Sequence, residues 1–223
     1  MTVSALTTFL DCFAAALDRD PKPVPGSHAT RLRRIARQLP PIKDTPAGRV
    51  PIQAVCEAEL ASHAVQSPLA GALAGLLPSL HITRSSNYLA NPPSSDFGEN
   101  YGYGVICGPG DGPPALIQDP EIAFGLMFLG PKTHYPLHHH PADEIYYTVT
   151  GPSFWRAGTA NWTSYGTDAI IHHPPWLPHA TLSAERPLVL LYIWHGDLVT
   201  DAAFIADTMT ADAARSSVGL DAT

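Results

Sequence analysis

The segment GPKTHYPLHHHPADEIYYTVTG, residues 130–151, holds four histidines, two carboxylates and three tyrosines between bounding glycines. Within it, His138, His140, Glu144 and Tyr146 occupy positions of equal parity. Because side chains two residues apart point to the same face of a strand, an extended segment would direct all four to one side. Imidazole nitrogens and carboxylate oxygens are the usual protein ligands of zinc, iron, manganese and nickel. The segment therefore predicts a mononuclear metal site.

A second segment, HHPPWLPHATL at residues 172–182, contains His179, which could complete the coordination shell from a neighbouring strand. The alternative interpretation of the histidine run is a solvated loop that binds metal adventitiously. The glutamate at a fixed distance, the apolar-rich strand after it and the turn glycine Gly151 favour the metal site, inside a small β-barrel.

Length and composition restrict the class of protein. The 223 residues suit one substantial domain or a barrel with a helical appendage, and 45% hydrophobic against 15% charged residues suffice for a buried core. The net charge is −7 and the 13 basic residues form no long cluster, which argues against nucleic-acid binding. The three cysteines are far apart without a CxxC pair, which excludes a disulfide scaffold and argues against cysteine-bound zinc.

The N-terminal segment is predicted to be an amphipathic helix. It has no basic stretch before its apolar residues, Asp11 interrupts them, and the large ones recur at helical spacing: Leu6, Phe9, Leu10, Phe13 and Leu17. No apolar run in the chain is long enough to span a bilayer. We expect no signal peptide, no membrane partner and a cytoplasmic protein.

Residues 1–80 are predicted to form a helical extension. After the first helix, Ser27 is expected to cap a second, a third runs from about Val50 to Val65, and Ser67 caps a fourth that begins at Pro68. This extension carries no cluster of catalytic residue types. It is expected to pack against the barrel or against a second subunit, so a homodimer suits the composition.

Residues 81–200 are predicted to form the β-barrel. Ten short β-rich runs alternate with turns, which indicates an antiparallel sandwich or barrel: Tyr101–Cys107, Ala115–Gln118, Ile122–Leu129, His134–His138, Glu144–Thr150, Ser153–Ala157, Asn161–Tyr165, Ala169–His172, His179–Ser183 and Leu188–Trp194. Residues 87–98 are expected to be a loop over the barrel mouth. In residues 201–223, a short helix over Ala202–Thr208 and a frayed tail are predicted.

Two motifs resemble those of the cupins. His138-x-His140, three residues, Glu144, six residues and Gly151 resemble the first cupin motif, and Pro174 followed at five residues by His179 resembles the core of the second. The second motif lacks its usual glycine and asparagine and has Trp176-Leu177-Pro178 before the histidine. The resemblance implies a mainly β protein with the cupin jelly-roll, a double-stranded β-helix.

Within the cupins, YPLHHHPADEIYYTVTG, the later WxxGT, HHPPWLPHA and the helical extension resemble the dimethylsulfoniopropionate (DMSP) lyases of the DddL/DddQ group, with the length most like DddL. The similarity covers about Tyr101–Asp197. It implies that His138, His140, Glu144 and His179 surround the metal. It also implies that Tyr146 is the catalytic base and that Tyr135 helps to place the substrate.

The implied reaction is a β-elimination that converts DMSP to dimethyl sulfide and acrylate. A divalent metal on the substrate carboxylate would stabilise charge developing on the α-carbon; zinc, iron, manganese, nickel and cobalt all suit the ligands. Aromatic faces attract the sulfonium cation, and Tyr192, Trp155, Trp176 and Trp194 are candidate substrate contacts, with core packing as the alternative role.

Two other functions compete with the lyase. A cupin dioxygenase would hold iron at the same histidines and glutamate, consume oxygen and have no need of Tyr146. A non-enzymatic cupin would bind a small ligand, and its metal would affect stability without any turnover.

Overall fold

The computed structural model describes residues 3–206 and 209–220. The first four helices come before the barrel strands: α1 Val3–Leu17, α2 Pro23–Arg37, α3 Gln53–Ala64 and α4 Pro68–Leu76, followed by a 3-10 turn at Leu77–Ser79. The five apolar residues that predicted the first helix are all fully buried. The predicted helical N-terminal region is therefore present, and α1 packs by its apolar stripe.

The start of α2 differs from the prediction. The helix begins at Pro23 after Lys22, and Ser27 lies inside it, where its hydroxyl donates to the Val24 carbonyl at 2.8 Å. Proline suits the first helical position because its φ is preset and it has no N–H to leave unsatisfied. The predicted cap of α4 is confirmed, since the Ser67 hydroxyl accepts from the Ala70 N–H at 3.2 Å.

The segment predicted as a loop, residues 87–98, contains parts of two short helices, α5 Ser86–Ala90 and α6 Phe97–Asn100. Tyr88 and Phe97 are buried, and their rings meet edge to face with centroids 6.1 Å apart. Their aromatic side chains attach this segment to the barrel interior. A last helix, α7, spans Ala211–Ser217.

The predicted mainly β cupin architecture is confirmed. Within the described residues, twelve strands follow α4: β1 Ile82–Thr83, β2 Tyr101–Gly108, β3 Ala115–Gln118, β4 Ile122–Leu129, β5 His134–His139, β6 Asp143–Thr148, β7 Ser153–Ala157, β8 Thr163–Tyr165, β9 Ile170–His173, β10 His179–Ser183, β11 Leu188–His195 and β12 Ala203–Phe204. Seven form one sheet in the order β1-β2-β4-β11-β6-β9, with β3 beside β2, and five form a second in the order β12-β5-β10-β7-β8. All pairings except β2 with β3 are antiparallel.

The two faces of the seven-stranded sheet belong to different cores. One face packs against the helices in a largely aliphatic cluster that includes Leu60 from α3 and Ile145 from β6. The other face points into the barrel, where the buried residues are mostly aromatic and include Tyr135, Tyr146 and Trp155. Strand alternation assigns successive residues of one strand to these two cores.

The C-terminal prediction was wrong in its secondary structure. Instead of a helix over Ala202–Thr208, Ala203 and Phe204 form strand β12 and pair with His139 and His138 of β5. Residues 207–208 lie outside the described residues. Pairing with an open sheet edge overrides the helix propensity of the alanines.

The predicted frayed tail is replaced, over Ala211–Ser217, by helix α7. Its cap Thr210 accepts from the Ala213 N–H at 3.2 Å, and Arg215 donates to the Lys132 carbonyl at 3.2 Å. Domain boundaries at residues 80 and 200 stay a prediction. In the described ranges, none of the helices combines the length and apolar character needed to cross a membrane.

Candidate metal centre

Strand pairing brings the predicted ligands together from both sheets. His138 on β5 is the cross-strand partner of His179 on β10, and Glu144 on β6 is the partner of His173 on β9. All four side chains are at most 3% exposed. His140 follows β5 directly and is equally buried, so five potential ligand side chains converge between the sheets.

Glu144 lies at the centre of this group. Its Oε2 atom is 3.0 Å from His140 Nε2, 3.1 Å from His179 Nε2 and 3.6 Å from His173 Nδ1. Its Oε1 atom accepts a hydrogen bond of 2.6 Å from the Trp194 indole N–H. The tryptophan therefore fixes one carboxylate oxygen while the other faces the imidazoles.

Three of the histidines have a defined tautomer. The Nδ1 atom of each lies within hydrogen-bond distance of a backbone carbonyl two residues away: His138 with Pro136 at 2.8 Å, His140 with Ala142 at 3.1 Å and His179 with Leu177 at 2.9 Å. Because a carbonyl only accepts, each Nδ1 must carry the proton. Each Nε2 then presents its lone pair to the centre, the arrangement found in histidines that ligate metals.

The geometry of the donor atoms fits a metal ion. Those of His138, His140 and His179 lie within 4.8 Å of one another, as do those of Glu144, His173 and His179. His179 Nε2 and His173 Nδ1 are buried without a well-aligned hydrogen bond, although both are close to the carboxylate. Unpaired buried polar atoms are costly, and a shared cation would satisfy them.

The protonation states of the clustered side chains also suit metal binding. Burial alone would raise the pKa of Glu144, but the close approach of the His140, His173 and His179 imidazoles holds the pKa well below its usual range. Burial, with the nearby His179, lowers the pKa of His138 well below its usual value, and burial lowers the pKa of His173 to about 4. At neutral pH Glu144 is therefore ionised and the imidazoles of His138 and His173 are neutral, which are the forms that bind metals.

His173 was missed by the sequence analysis, whose predicted strand Ala169–His172 ended one residue before it. His173 is instead the last residue of β9, and its ring stacks on His179 with centroids 3.9 Å apart. His172 points the other way and contacts the Asp143 carboxylate at 3.0 Å. The only available signal was the strand parity that His173 shares with Ile171, and parity alone does not give the register with Glu144.

Tyr146 lies one pleat beyond Glu144 on the same face, as predicted from its parity. It is 4% exposed, and its ring centroid is 5.0 Å from Trp155 and 6.2 Å from His179. Burial first, and then the charge and hydrogen bonding of Glu144, raise the pKa of Tyr146 well above its usual value. The structure thus places a buried phenol beside the His/Glu cluster.

Tyr192 and Tyr135 flank the same space. Tyr192 is the cross-strand partner of both Tyr146 and Gly125, and a Cβ on Gly125 would lie 2.8 Å from the Tyr192 hydroxyl and 2.0 Å from the Gly104 carbonyl. Glycine at position 125 is therefore needed for this tyrosine to occupy the interior.

Tyr135 stacks on the imidazole of His138, with centroids 4.0 Å apart. Its hydroxyl lies 2.7 Å from that of Tyr88 on α5. The segment expected to cover the barrel mouth thus contributes Tyr88, which had no signal in the sequence.

The three candidate tryptophans have different positions. Trp194 lies beside His140, with centroids 4.3 Å apart, and Trp155 packs behind Tyr146 with its N–H donated to Ser153. Trp176, by contrast, is 56% exposed and contacts His139, so its predicted role as a substrate contact conflicts with its position.

The loop that bears Trp176 explains why the second motif departs from the cupin pattern. Trp176 has φ +64°, a left-handed conformation that favours glycine, and its N–H donates to the His140 carbonyl at 2.8 Å. The backbone turn is thus retained without the usual glycine, and His179 reaches the centre.

A cavity of about 190 Å³ opens beside the centre. Its lining is dominated by tyrosines, together with Glu144 and Trp194: Tyr88, Tyr101, Tyr103, Tyr135, Tyr146 and Tyr192. Among the described residues that line it there is no lysine, arginine or histidine. The cavity therefore suits a small ligand that carries positive charge or apolar groups at one end.

The family model for dimethylsulfoniopropionate lyases matches residues 25–190, about three quarters of the chain. The chain belongs to this family. The match covers most of α2, both cupin motifs and the first three residues of β11, and so includes all five potential ligand residues of the candidate centre. It agrees with the lyase resemblance but does not distinguish the DddL type.

Proteins described as DMSP lyases are also similar to this chain in sequence and in structure. A segment of 98 residues is 31% identical to dimethylsulfoniopropionate lyase DddQ from Ruegeria pomeroyi, and it spans 44% of this chain and 48%, about half, of that relative. A crystal structure from a set on the DMSP lyases RdDddP and RnDddQII matches with a TM-score of 0.69 and 22% identity, over 91% of this chain and 98% of the other. The crystal structure of DddQ from Ruegeria pomeroyi matches with a TM-score of 0.63 and 21% identity, over 91% and 97%. At these identities the two structures establish the shared fold.

Proposed function

We propose that this protein is a lyase that depends on a divalent transition metal and cleaves DMSP to dimethyl sulfide and acrylate by β-elimination. The observation that carries the proposal is the position of Tyr146, which lies between a preformed His/Glu cluster and a tyrosine-lined cavity. Family membership supports the lyase over the dioxygenase and the non-enzymatic alternatives, which no separate feature of the cavity favours.

The ligand role belongs to His138, His140, Glu144 and His179, with His173 as a further candidate. Zinc, iron, manganese, nickel and cobalt all suit imidazole and carboxylate donors. A divalent cation bound there would neutralise the substrate carboxylate, stabilise charge on the α-carbon and favour the phenolate of a nearby tyrosine.

Tyr146 would take the α-proton at its hydroxyl oxygen. Burial and Glu144 both raise its pKa, so the deprotonated side chain is a strong base in the place where the substrate must lie. Elimination then breaks the bond between the β-carbon and sulfur, and the electron pair leaves with sulfur as neutral dimethyl sulfide. Because this leaving group is neutral, the cavity needs no acid to protonate it.

Tyr135 and Tyr192 would position the substrate. Tyr135 is held from both sides, by stacking on His138 and by the hydroxyl contact with Tyr88. Tyr192 borders the cavity across the strand pair from Tyr146. Rigid aromatic walls restrict the substrate to orientations in which the α-proton faces Tyr146.

The test is the release of dimethyl sulfide into the headspace after purified protein is mixed with DMSP. We expect release that stops with a chelator and returns when one of the five metals is added back. No release with any of these metals, in protein shown to bind them, would contradict the proposal; oxygen uptake by the iron form would then support the dioxygenase. The predicted homodimer is to be tested separately by light scattering.

A further inference from the structure

The cavity has a second carboxylate far along the chain from the metal ligands. Besides Glu144, Asp201 is the only acidic residue of the described lining. Glu144 is fully enclosed, whereas Asp201 is exposed and lies in the segment that leads into β12. Asp201 therefore marks the open end of the cavity, and Glu144 marks the closed end.

The charge of Asp201 is not neutralised within the protein. In residues 3–206 and 209–220, its carboxylate takes part in no hydrogen bond or ion pair. The neighbouring Asp197 differs, because its carboxylate accepts from the N–H groups of Val199 at 3.0 Å and Thr200 at 2.9 Å. Asp197 thus stabilises the turn, whereas the carboxylate of Asp201 is left to interact with a ligand in the cavity that it lines.

The charge of Asp201 contributes to the raised pKa values of two tyrosines that line the cavity. Burial first, and then Asp201, raise the pKa of Tyr103. The pKa of Tyr88 is raised by burial and, to a lesser extent, by Glu144 and Asp201. All three residues also line the same cavity, so Asp201 can act on a ligand together with these two aromatic side chains.

We propose that Asp201, Tyr88 and Tyr103 form a cation subsite that binds the sulfonium end of the substrate; this assignment rests on the proposed function. A sulfonium carboxylate has its two charges at opposite ends. The proposed metal centre would receive the carboxylate, and the open end of the cavity combines one unpaired negative charge with two electron-rich rings. Such rings and carboxylates attract an organic cation without requiring a hydrogen-bond donor.

The subsite separates substrate from product. Before cleavage the ligand is a zwitterion, and Asp201 attracts its sulfur. When the bond between the β-carbon and sulfur breaks, sulfur leaves as a neutral sulfide and the remaining acrylate carries only negative charge. Asp201 then repels what is left in the cavity, which favours product release and weakens product inhibition.

The experiment compares Asp201→Asn with Asp44→Asn. Asp44 is exposed and does not line the cavity, so the two variants change net charge equally. For Asp201→Asn we expect a KM for DMSP raised roughly threefold with kcat nearly unchanged, the size typical of an exposed charge pair. The Ki for acrylate should fall by a similar factor, and both effects should shrink at high salt. Asp201→Lys should enlarge both changes, and Asp44→Asn should show neither.

A binding assay separates this inference from the lyase proposal. Trimethylsulfonium carries the cation without the carboxylate, and calorimetry measures its binding without turnover. Weaker binding to Asp201→Asn than to wild type supports the subsite even if no dimethyl sulfide is released. If wild type cleaves DMSP and both Asp201 variants keep its KM and Ki, the subsite is wrong and the lyase stands. If wild type neither cleaves DMSP nor binds trimethylsulfonium, both proposals fail.

Discussion

Strand β6 has two faces that differ in almost every physical property. Glu144 and Tyr146 face the cavity, where polar and titratable side chains converge. Ile145 and Tyr147 face the helices and belong to the largely aliphatic core. The difference shows how one strand of six residues serves stability on one side and chemistry on the other.

On the helix side, Tyr147 of β6 has partners for both its ring and its hydroxyl. Tyr147 packs edge to face on Phe13, with centroids 6.1 Å apart. Its hydroxyl accepts from Arg19 at 2.6 Å and donates to Asp168, so even the buried phenol has both partners. Removal of apolar surface from water and paired polar groups both favour folding here.

The cavity side is less favourable to folding. His173 and His179 each leave a buried ring nitrogen without an aligned hydrogen bond. Such groups reduce stability unless a ligand satisfies them, and so the helix side must offset that cost. Substitutions on each side test whether chemistry on the cavity side and stability on the helix side can be changed independently.

The largest effect is expected from His179→Ala. Because His179 belongs to both groups of converging donor atoms, its loss should lower metal affinity about a hundredfold or more and abolish dimethyl sulfide release. Metal content by mass spectrometry and headspace analysis measure both. His139→Ala is the control, since His139 points away and contacts Trp176. Wild-type metal content and turnover in His179→Ala would remove this residue from the centre.

On the helix side, Phe13→Ala should affect stability alone. Phe13 is fully buried, and truncation of such a side chain costs about 3–5 kcal/mol of the free energy of unfolding. Urea denaturation measures the loss, and Val3→Ala, at a 63% exposed position of the same helix, should cost little. If the folded fraction of Phe13→Ala also loses its metal, the two faces are coupled and the comparison fails.

A smaller effect is expected on the stability of the protein at acidic pH. Burial lowers the pKa of His28 on α2 to about 4; Asp143 opposes this shift, while His195, His172 and Arg31 add to it. A histidine with a depressed pKa binds its proton more readily when unfolded. Its contribution to stability is thus complete above about pH 6.5 and declines as the pH falls towards 4, by up to about 1.4 kcal/mol per pH unit.

His28→Gln should therefore flatten the loss of stability between pH 6.5 and 4, as followed by urea denaturation at several pH values. An unchanged slope in His28→Gln would mean that this histidine is not buried in its neutral form.

Most of the fold followed from local patterns. The period of two in β5 and β6 predicted which residues of residues 130–151 share a face, and the amphipathic spacing predicted α1. The predicted strand limits agree with the observed ones to within a few residues, because turn-forming glycines and prolines flank the strands in the sequence. Parity alone placed Tyr146 on the same strand face as Glu144.

The features that the sequence did not predict depend on contacts between distant segments of the chain. His173 reaches the centre only through the register that sets it opposite Glu144. Tyr88 does so because its ring stacks on Phe204, with centroids 4.5 Å apart. The segment Ala203–Phe204 forms a strand because β5 offers an open edge. None of these pairings leaves a local signal, so tertiary context decided all three.

The adjacent tyrosines of β6 give the most direct test. Tyr146→Phe and Tyr147→Phe each remove one hydroxyl, from opposite faces of the same strand. Headspace dimethyl sulfide, metal content and urea denaturation are measured on both. We expect Tyr146→Phe to keep its metal and stability while release falls by about 10²–10⁴-fold or more. We expect Tyr147→Phe to keep its release and lose about 1 kcal/mol of stability. Full release by Tyr146→Phe, or loss of release in Tyr147→Phe alone, would contradict the division of the strand into a chemical and a structural face.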